Sequence, residues 1–297
     1  MSVRDAITEA GFGVGWTAIK AMPDPAARRM FDAIAERTYS RQGQGVRQLR
    51  ANLSRVIDDE QLPMLDDITR DAVHRYMRYW CETFRLPAWS RTEVVDRFLV
   101  EGREILDNLQ SEGRGAIIVS PHMGNWDHAA AWAAITYGGL DTVVERLKPE
   151  GLYEKFLAYR RGLGMDVHPL GDPDIVRDLA RSLQRGRLVC LLADRDLSHA
   201  GVPVDFFGDL ATMPAGPAML SLMTGAPIVP VVVWHSELGT HGRIEEPLDL
   251  PTEGSRRDRV QAITQMIAHA FERSIGAHPA DWHMMQPLWS ADLGPRR

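Results

Sequence analysis

The stretch "GAIIVSPHMGNWDHAAAW", residues 115–132, changes from one structural pattern to another. Its first part, Ala116–Ser120, is a short apolar run rich in β-branched residues, which favours a buried β-strand. Its second part, from Asn125 onward, is rich in alanine and favours a helix. His122 lies between the two parts. The sequence therefore predicts a histidine on the loop directly after a strand.

The chain continues to alternate between strand and helix patterns after this stretch. Further strands are predicted over 141–147, 187–194 and 226–234, and helices over 125–137, 150–162, 173–185, 215–224 and 255–275. Such alternation is typical of a mainly parallel sheet covered by helices. We therefore predict an α/β fold with a mainly parallel central sheet.

The first hundred residues have a helical pattern instead. Helices are predicted over 4–21 and 65–84, and a third begins where Asp24 forms an N-cap and Pro25 follows it. No Gly/Ser-rich linker separates this part from the rest. We expect a single domain over 1–297, with a helical N-terminal part over 1–100 and an α/β part over 115–297.

The composition disfavours several classes of protein. The chain has 297 residues, is 44% hydrophobic and 25% charged, and carries a formal net charge of -6, which argues against nucleic-acid binding through bulk basicity. Cys81 and Cys190 are far apart and suggest neither a zinc site nor a disulfide framework. Arg4, Asp5 and Glu9 interrupt any secretory signal, and no window has the roughly 18–20 uncharged apolar residues that span a membrane.

One basic segment stands out in this acidic chain. It runs from residue 37 to 55 without an acidic residue and contains Arg37, Arg41, Arg47, Arg50 and Arg55. One interpretation is a solvated helix face. The other is a contact with an anionic membrane surface, where arginines meet headgroups beside an inserted apolar face.

The spacing of His122 and Asp127 constrains how they can meet. Five positions within one helix rotate two side chains by about 140°, so they would diverge. They approach each other only if His122 stays on the loop and Asp127 lies in the first turns of the helix. Gly124 permits the tight turn and Asn125 is a suitable cap. We predict that Asp127 accepts a bond from one imidazole N–H and leaves the other nitrogen as a base.

From the residues alone, three alternatives remain open at this histidine. Ser120 follows no G-x-S-x-G turn and neither cysteine has an evident base, so a histidine base would act on a hydroxyl or water from outside the protein. A metal site would use His122, Asp127 and His128, although no H-E-x-x-H-like pairing is present. The third possibility is a structural histidine at a helix N-terminus.

Several motifs resemble one family of acyltransferases. "HMGNWD", residues 122–127, resembles the H-x4-D motif of glycerolipid-type acyltransferases, in which histidine deprotonates an acceptor hydroxyl and aspartate orients it. Residues 204–234 resemble a segment of the bacterial lipid A (lauroyl) acyltransferases. Residues 13–56 and "HPADWHMMQPLW", residues 278–289, are more similar to the phosphatidylinositol mannoside acyltransferases of that family.

The resemblance also suggests substrate-binding residues. "VVERLKPEGLYEKFLAYRRGLG" places Glu145 at the end of a strand and Arg160 on the next helix, and "LLADRDLS" places Asp194 and Arg195 at the end of another strand. Acids at the carboxyl ends of strands are suited to sugar hydroxyls, and the arginines to phosphate or to those carboxylates. Helix caps and ion pairs are the other interpretation of all four. More distant glycerolipid acyltransferases have an E-G-x-x-R-like pattern at the position of "LLADRDLS". This chain lacks the glycine of that pattern, which disfavours a glycerol-phosphate acceptor.

The resemblance implies a glycerolipid acyltransferase-like fold and an O-acyltransferase with His122 as general base and Asp127 as its partner. The donor would be acyl-CoA, the acceptor a mannose hydroxyl of a phosphatidylinositol mannoside, and no metal or redox cofactor is required. The N-terminal part would face the cytoplasmic side of the cell membrane as a peripheral contact.

Three alternatives for the function remain. The first is acyl transfer to a lipid A-type or other glycolipid, with acyl carrier protein as a possible donor. The second is a thioesterase or lipid hydrolase in which the same histidine activates water. The third is a lipid-binding protein without catalysis.

Overall fold

The computed structural model describes residues 15–146, 150–197, 201–237 and 239–293. The predicted helix over 4–21 is confirmed for residues 15–21, named α1, while residues 4–14 lie outside the described ranges. The other helices are α2 Asp24–Ser40, α3 Gln44–Val56, α4 Leu65–Arg85, α5 Arg91–Asp96, α6 Arg103–Ser111, α7 Trp126–Tyr137, α8 Glu150–Gly162, α9 Ile175–Gln184, α10 Gly216–Thr224 and α11 Arg256–Ala277. Within the described ranges, every helix is too short or too polar to cross a bilayer.

A seven-stranded, mainly parallel sheet confirms the predicted α/β fold. The strands are β1 Phe98–Glu101, β2 Ala116–Ser120, β3 Leu140–Val144, β4 Met165–Pro169, β5 Leu188–Leu192, β6 Val202–Phe206, β7 Asp209–Met213, β8 Ile228–His235 and β9 Thr240–Ile244. Their order in the sheet is β1-β9-β8-β2-β5-β3-β4, and β6 and β7 form a separate hairpin. Strands β8, β2, β5, β3 and β4 run parallel, whereas β9 is antiparallel to β8.

Helices cover both faces of this sheet. One face packs against α5, α6, α7 and α8, and the other against α9, α10 and α11. Strand β2 is buried along its whole length, which explains why "AIIVS" is a continuous apolar run without polar alternation. The carboxyl ends of the parallel strands meet at one edge, where ligand crevices form in open α/β sheets.

The structure corrects two predictions about the N-terminal part. Strand β1 lies within the range predicted as helical, and it joins the sheet by pairing with β9. Helix α2 begins at Asp24, as its first helical residue, and Pro23 occupies the N-cap position. The Asp24 carboxylate makes no capping bond and instead accepts one from Arg28 at 2.9 Å. The Asp24 carboxylate, which was expected to cap the helix, therefore pairs with Arg28 one turn further along it.

The chain beyond α11 returns to the loop that carries His122. The amide of His283 donates to the carbonyl oxygen of His122 at 2.8 Å, and the amide of Gly124 donates to the carbonyl oxygen of Asp281 at 3.0 Å. The buried Asn52 donates to the carbonyl oxygen of Met284 at 2.7 Å. The C-terminal segment thus holds this loop through backbone bonds, and helix α3 holds the C-terminal segment.

A buried ionic cluster lies next to that segment. The His235 ring has Asp281 Oδ1 3.0 Å from its Nδ1 and Glu82 Oε2 3.5 Å from its Nε2. Arg75 donates to Asp281 and Arg78 to Glu82. Burial disfavours a charge on His235, but the two carboxylates outweigh this effect and raise its pKa above the usual value. The cluster therefore favours the protonated imidazole.

This arrangement predicts how stability varies with pH. A raised folded-state pKa means that the stabilisation from His235 is fully present below the unfolded pKa of about 6.5 and is lost as the pH rises through the folded value. His235→Gln should therefore lower the free energy of unfolding at pH 6 and flatten its decline towards pH 9. Urea denaturation across this range measures both effects. His269→Gln, at an exposed position on α11, is the control, and an unchanged slope in His235→Gln would contradict the assignment.

Candidate active site

Local backbone chemistry places His122 on the loop between β2 and α7, as predicted. Gly124 has a φ of +54°, and a Cβ there would lie 2.6 Å from the carbonyl oxygen of Val233, so only glycine fits. Asn125 caps α7, because its Oδ1 accepts a bond from the amide of His128 at 3.0 Å. The Asn125 side-chain amide also donates to Glu82 at 2.9 Å, which ties the helix start to the buried cluster.

The carboxylate partner of His122 is Asp194, so the predicted bond to Asp127 is wrong. His122 Nδ1 lies 2.5 Å from Asp194 Oδ1. The physical reason is strand register: Ser120 of β2 pairs with Leu192 of β5, and each partner lies two residues beyond its strand. The expectation that Asp194 holds sugar hydroxyls changes accordingly, because its oxygens are already engaged.

The other oxygen of Asp194 also faces the site. Asp194 Oδ2 accepts the backbone N–H of His122 at 2.9 Å and the indole N–H of Trp282 at 3.0 Å. The side chain is 0% exposed. Burial would raise its pKa, but the charge and hydrogen bonds of His122 outweigh burial and hold the pKa below the usual value.

The ionised Asp194 determines the state of the imidazole. A carboxylate only accepts hydrogen bonds, so Nδ1 of His122 carries a proton, and Nε2 is the nitrogen with the lone pair in the neutral form of the ring. The His122 side chain is 26% exposed and lines the main cavity of the described structure. The Trp126 ring lies edge-on with its centroid 5.5 Å from that of His122. The imidazole is thus presented to a cavity, and its role as a base remains a prediction.

Asp127 lies in the first turn of α7 and makes different contacts. Its Oδ1 accepts from Arg160 Nε at 2.8 Å, and its Oδ2 accepts from the Tyr79 hydroxyl at 2.9 Å. Burial disfavours the charge on Arg160, but Asp127 outweighs this and raises the arginine pKa. Arg160 therefore forms an ion pair with Asp127, which is neither phosphate nor one of the carboxylates, Glu145 and Asp194, that were expected as its partners; an ion pair was the other interpretation of this residue. Asp127 and Arg160 both line the cavity beside His122, and a catalytic role for Asp127 remains a prediction.

Glu145 and Arg195 lie at the cavity mouth. They follow β3 and β5, as predicted, and Arg195 NH2 lies 3.7 Å from Glu145 Oε2. Glu145 is exposed, Arg195 is half-buried, and both line the cavity. They form an ion pair in the described structure, and their binding of sugar or phosphate remains a prediction.

The alternative catalytic groups have other contacts. The buried His128 ring is bonded to Thr240 at 3.0 Å and to the carbonyl oxygen of Val94 at 2.8 Å, so it is not directed to a shared metal site with His122. Ser120 Oγ donates to the carbonyl oxygen of Pro121. Desolvation, with a smaller effect of Asp141, raises the pKa of the Cys190 thiol to about 12, which keeps it protonated at neutral pH.

The cavity beside His122 has a volume of about 630 Å³ and a largely apolar lining. The small side chains of Ala129 and Ala133 leave space between α7 and the sheet. This part continues across β8 and β9 to Phe98 on β1, three strand spacings or about 14 Å from β2. Gly242 also lines this part of the cavity. A Cβ at position 242 would lie 2.4 Å from the Phe98 ring, so a side chain there would clash with it. A long aliphatic chain therefore fits along the sheet with one end at His122.

Sequence reasoning assigned no role to Trp282, although its indole holds the Asp194 carboxylate. The only signal was the similarity of residues 278–289 to one branch of an acyltransferase family. The indole Nε1 of Trp126 was also not anticipated as a site group. It is buried and has no hydrogen-bond partner among the described residues.

The chain is similar to known proteins over almost its whole length. Residues 3–291 match the family described as bacterial lipid A biosynthesis acyltransferase. The chain belongs to this family. A phosphatidylinositol mannoside acyltransferase of Mycolicibacterium smegmatis is 42% identical over 293 residues, covering 98% of this chain and 94% of the relative. Proteins of the same name from two strains of Mycobacterium tuberculosis are 42% identical over 301 residues, covering 100% of this chain and 93% of each relative.

The different contacts of the two aspartates in this family member lead to a prediction. Asp194→Asn removes the ionised acceptor that fixes the imidazole tautomer, so kcat for acyl transfer by the folded variant should fall by about 10²–10⁴-fold. Asp127→Asn removes the partner of a largely buried arginine. It should destabilise the fold by about 3 kcal/mol, because breaking a buried pair costs about 3–5 kcal/mol and Arg160 retains some exposure.

Steady-state kinetics and thermal unfolding of both variants check this division. Each variant serves as the matched control of the other, since both exchange a buried carboxylate for an amide of the same shape. Near-normal kcat in Asp194→Asn, combined with a large loss in a folded Asp127→Asn, would show that Asp127 is the functional partner of His122.

Proposed function

We propose that the protein transfers a long-chain acyl group from acyl-CoA to a mannose hydroxyl of a phosphatidylinositol mannoside. The observation that carries this proposal is the His122–Asp194 pair at the opening of an apolar cavity long enough for an aliphatic chain. The full-length similarity to phosphatidylinositol mannoside acyltransferases supports the choice of acceptor. The exposed Glu145 and the half-buried Arg195 at the mouth suit a polar, charged headgroup.

In the proposed reaction the donor chain lies under α7 and its thioester carbonyl lies near His122. Nε2 of His122 removes the proton from the mannose hydroxyl, and the sugar oxygen attacks the carbonyl carbon. Collapse of the tetrahedral intermediate breaks the C–S bond, and the proton on Nε2 passes to the leaving thiolate to give CoA. Asp194 remains ionised and stabilises the imidazolium that forms between these steps.

The developing oxyanion needs hydrogen-bond donors near the first turn of α7. The amide of Gly124 is not free for this role, because it donates to the carbonyl oxygen of Asp281. The backbone amides of Trp126 and Asp127, at the start of α7, are candidates for this role. The indole N–H of Trp126, which has no partner among the described residues, is another. Asp127, through Arg160 and Tyr79, would hold this turn in place.

Removal of the imidazole tests the general-base role. His122→Ala should lower the rate of glycolipid-dependent CoA release by at least about 10²–10⁴-fold, since a positioned base contributes that much. The assay measures CoA release from a long-chain acyl-CoA with and without phosphatidylinositol mannoside. His269→Ala, at an exposed position on α11, should retain wild-type activity.

Two results would reject the proposal. CoA release at full rate without glycolipid would identify a thioesterase or hydrolase. Full acyl transfer by a folded His122→Ala variant would remove the base role from this histidine.

The proposal includes a peripheral contact with the cytoplasmic side of the cell membrane. Arg47 and Arg50 are exposed, with Arg50 also paired to Asp66 at 2.7 Å. Arg55 is less suited to a membrane contact. It pairs with Asp292 and its guanidinium lies 4.7 Å from the centroid of the Trp289 ring. The membrane test is therefore best made without changing Arg55.

We expect the protein to co-sediment with anionic vesicles, and the bound fraction to fall as salt rises. Arg47→Glu with Arg50→Glu should weaken binding by about 1 kcal/mol or more for each removed arginine. Arg256→Glu with Arg257→Glu, at exposed positions of α11, is the charge-matched control. Equal binding by wild type and the Arg47/Arg50 variant would exclude this segment from the membrane contact.

A further inference from the structure

Two interior strands of the sheet are incompletely covered towards their carboxyl ends. Interior strands of parallel sheets are normally buried on both faces. Strand β5 begins in this way at Leu188 and Val189, but its next three residues, Cys190, Leu191 and Leu192, are only partly buried. On the adjacent β3, residues 142–144 are also only partly buried. Open space therefore adjoins the sheet at the edge where the His122 site lies.

This space lies on both faces of the sheet. Successive residues of a strand point to opposite faces. Cys190 packs with the apolar cluster of α7, whereas Leu191 packs with the cluster that includes Leu179 of α9 and Leu220 of α10. Cys190 and Leu191 nevertheless line the same cavity. The cavity thus has two arms, named here the α7 arm and the α9–α10 arm, which join at the strand ends near His122.

The α9–α10 arm is aliphatic and opens through an apolar rim. Its lining includes Leu170, Ile175, Leu179, Leu191, Met219 and Leu220. At its mouth Leu170 is 38%, Met219 39% and Val176 43% exposed. Met223, one turn beyond Met219 on α10, is 46% exposed. Adjacent exposed apolar side chains of this kind mark a surface for apolar ligands or membranes.

Resting on the proposed transfer reaction, we propose that the α9–α10 arm holds one fatty tail of the glycolipid acceptor, while the α7 arm holds the acyl chain of the donor. The reaction joins two amphiphiles at His122. One arm on each face of the sheet lets their chains lie apart while the reacting groups meet at the strand ends. The exposed rim allows a tail to enter sideways from a bilayer.

The chemistry of the lining favours a tail over the pantetheine arm of CoA. Pantetheine contains two amide groups, and burying an amide without hydrogen bonds is unfavourable. The six apolar side chains named for the α9–α10 arm, five aliphatic and one thioether, offer no strong hydrogen-bond donor or acceptor. A hydrocarbon chain loses no hydrogen bonds there and gains about 0.8 kcal/mol for each buried methylene group.

Adjacent residues of β5 offer a matched pair of variants. Leu191→Trp fills the α9–α10 arm, and Cys190→Phe fills the α7 arm from the opposite face of the same strand. Each is assayed by CoA release with phosphatidylinositol mannoside and with its deacylated, tail-free headgroup as acceptors. Thermal unfolding shows whether each variant is folded. Met219→Trp at the exposed mouth repeats the test if the Leu191 variant does not fold, and Leu210→Trp, at an exposed position of β7 outside the cavity lining and the rim, is its control.

Leu191→Trp should raise KM for the diacylated acceptor at least about tenfold, the effect of losing burial of a few methylene groups. It should leave kcat/KM for the tail-free acceptor and KM for long-chain acyl-CoA within about twofold of wild type, since a twofold change is only about 0.4 kcal/mol. Cys190→Phe should instead raise KM for long-chain acyl-CoA with both acceptors.

Three outcomes overturn the assignment. An unchanged KM for the diacylated acceptor in a folded Leu191→Trp or Met219→Trp variant shows that no tail occupies this arm. A raised KM for acyl-CoA in those variants assigns the arm to the donor. If neither acceptor stimulates CoA release by the wild-type protein, the proposed function itself is rejected, and the tail assignment with it.

Discussion

The hydrogen bond between His122 and Asp194 is the interaction on which the rest of the site depends. It forms because β2 and β5 are neighbours and because Ser120 and Leu192 are paired in their register. One carboxylate oxygen holds the ring, and the other holds the His122 backbone and the Trp282 indole. A strand end, the His122 loop and a distant C-terminal segment therefore meet at one buried charge. The tautomer of the imidazole, and hence the identity of the basic nitrogen, follows from this charge.

The surrounding contacts keep that loop and helix α7 in fixed positions. Asp127 joins α7 to α8 through Arg160 and to α4 through Tyr79. Asn125 joins the start of α7 to the ionic cluster around His235 through Glu82. These bonds hold the helix by its first turn, so its small residues do not need to pack tightly on the sheet. The open space under α7 is compatible with a stable fold for this reason.

Much of the fold and part of the site could be predicted from local sequence. Residues 116–120 coincide with β2 and residues 150–162 with α8, and the turn at Gly124 and the cap at Asn125 were expected from their backbone chemistry. Four later strands, β4, β6, β7 and β9, were not predicted; in β4, for example, polar residues and proline interrupt the apolar pattern.

The partner of His122 could not be predicted in the same way. Asp194 follows His122 by 72 residues, and only strand order and register bring them together. The spacing of residues within one segment suggested Asp127, since it considers only nearby positions. It carries no information about β5 and therefore could not indicate Asp194. The family resemblance selected both carboxylates as site residues but not the contacts between them.

The dependence of the His122 loop on residues 278–289 has a consequence for biosynthesis. His283 follows Gly124 by 159 residues, which the ribosome needs roughly 8–30 s to add at about 5–20 residues per second. Once residue 194 has been added, the nascent chain has β2, β5 and Asp194 but still lacks the indole and backbone partners of the His122 loop. The His122 site is therefore completed late in translation, after the central sheet has been synthesised.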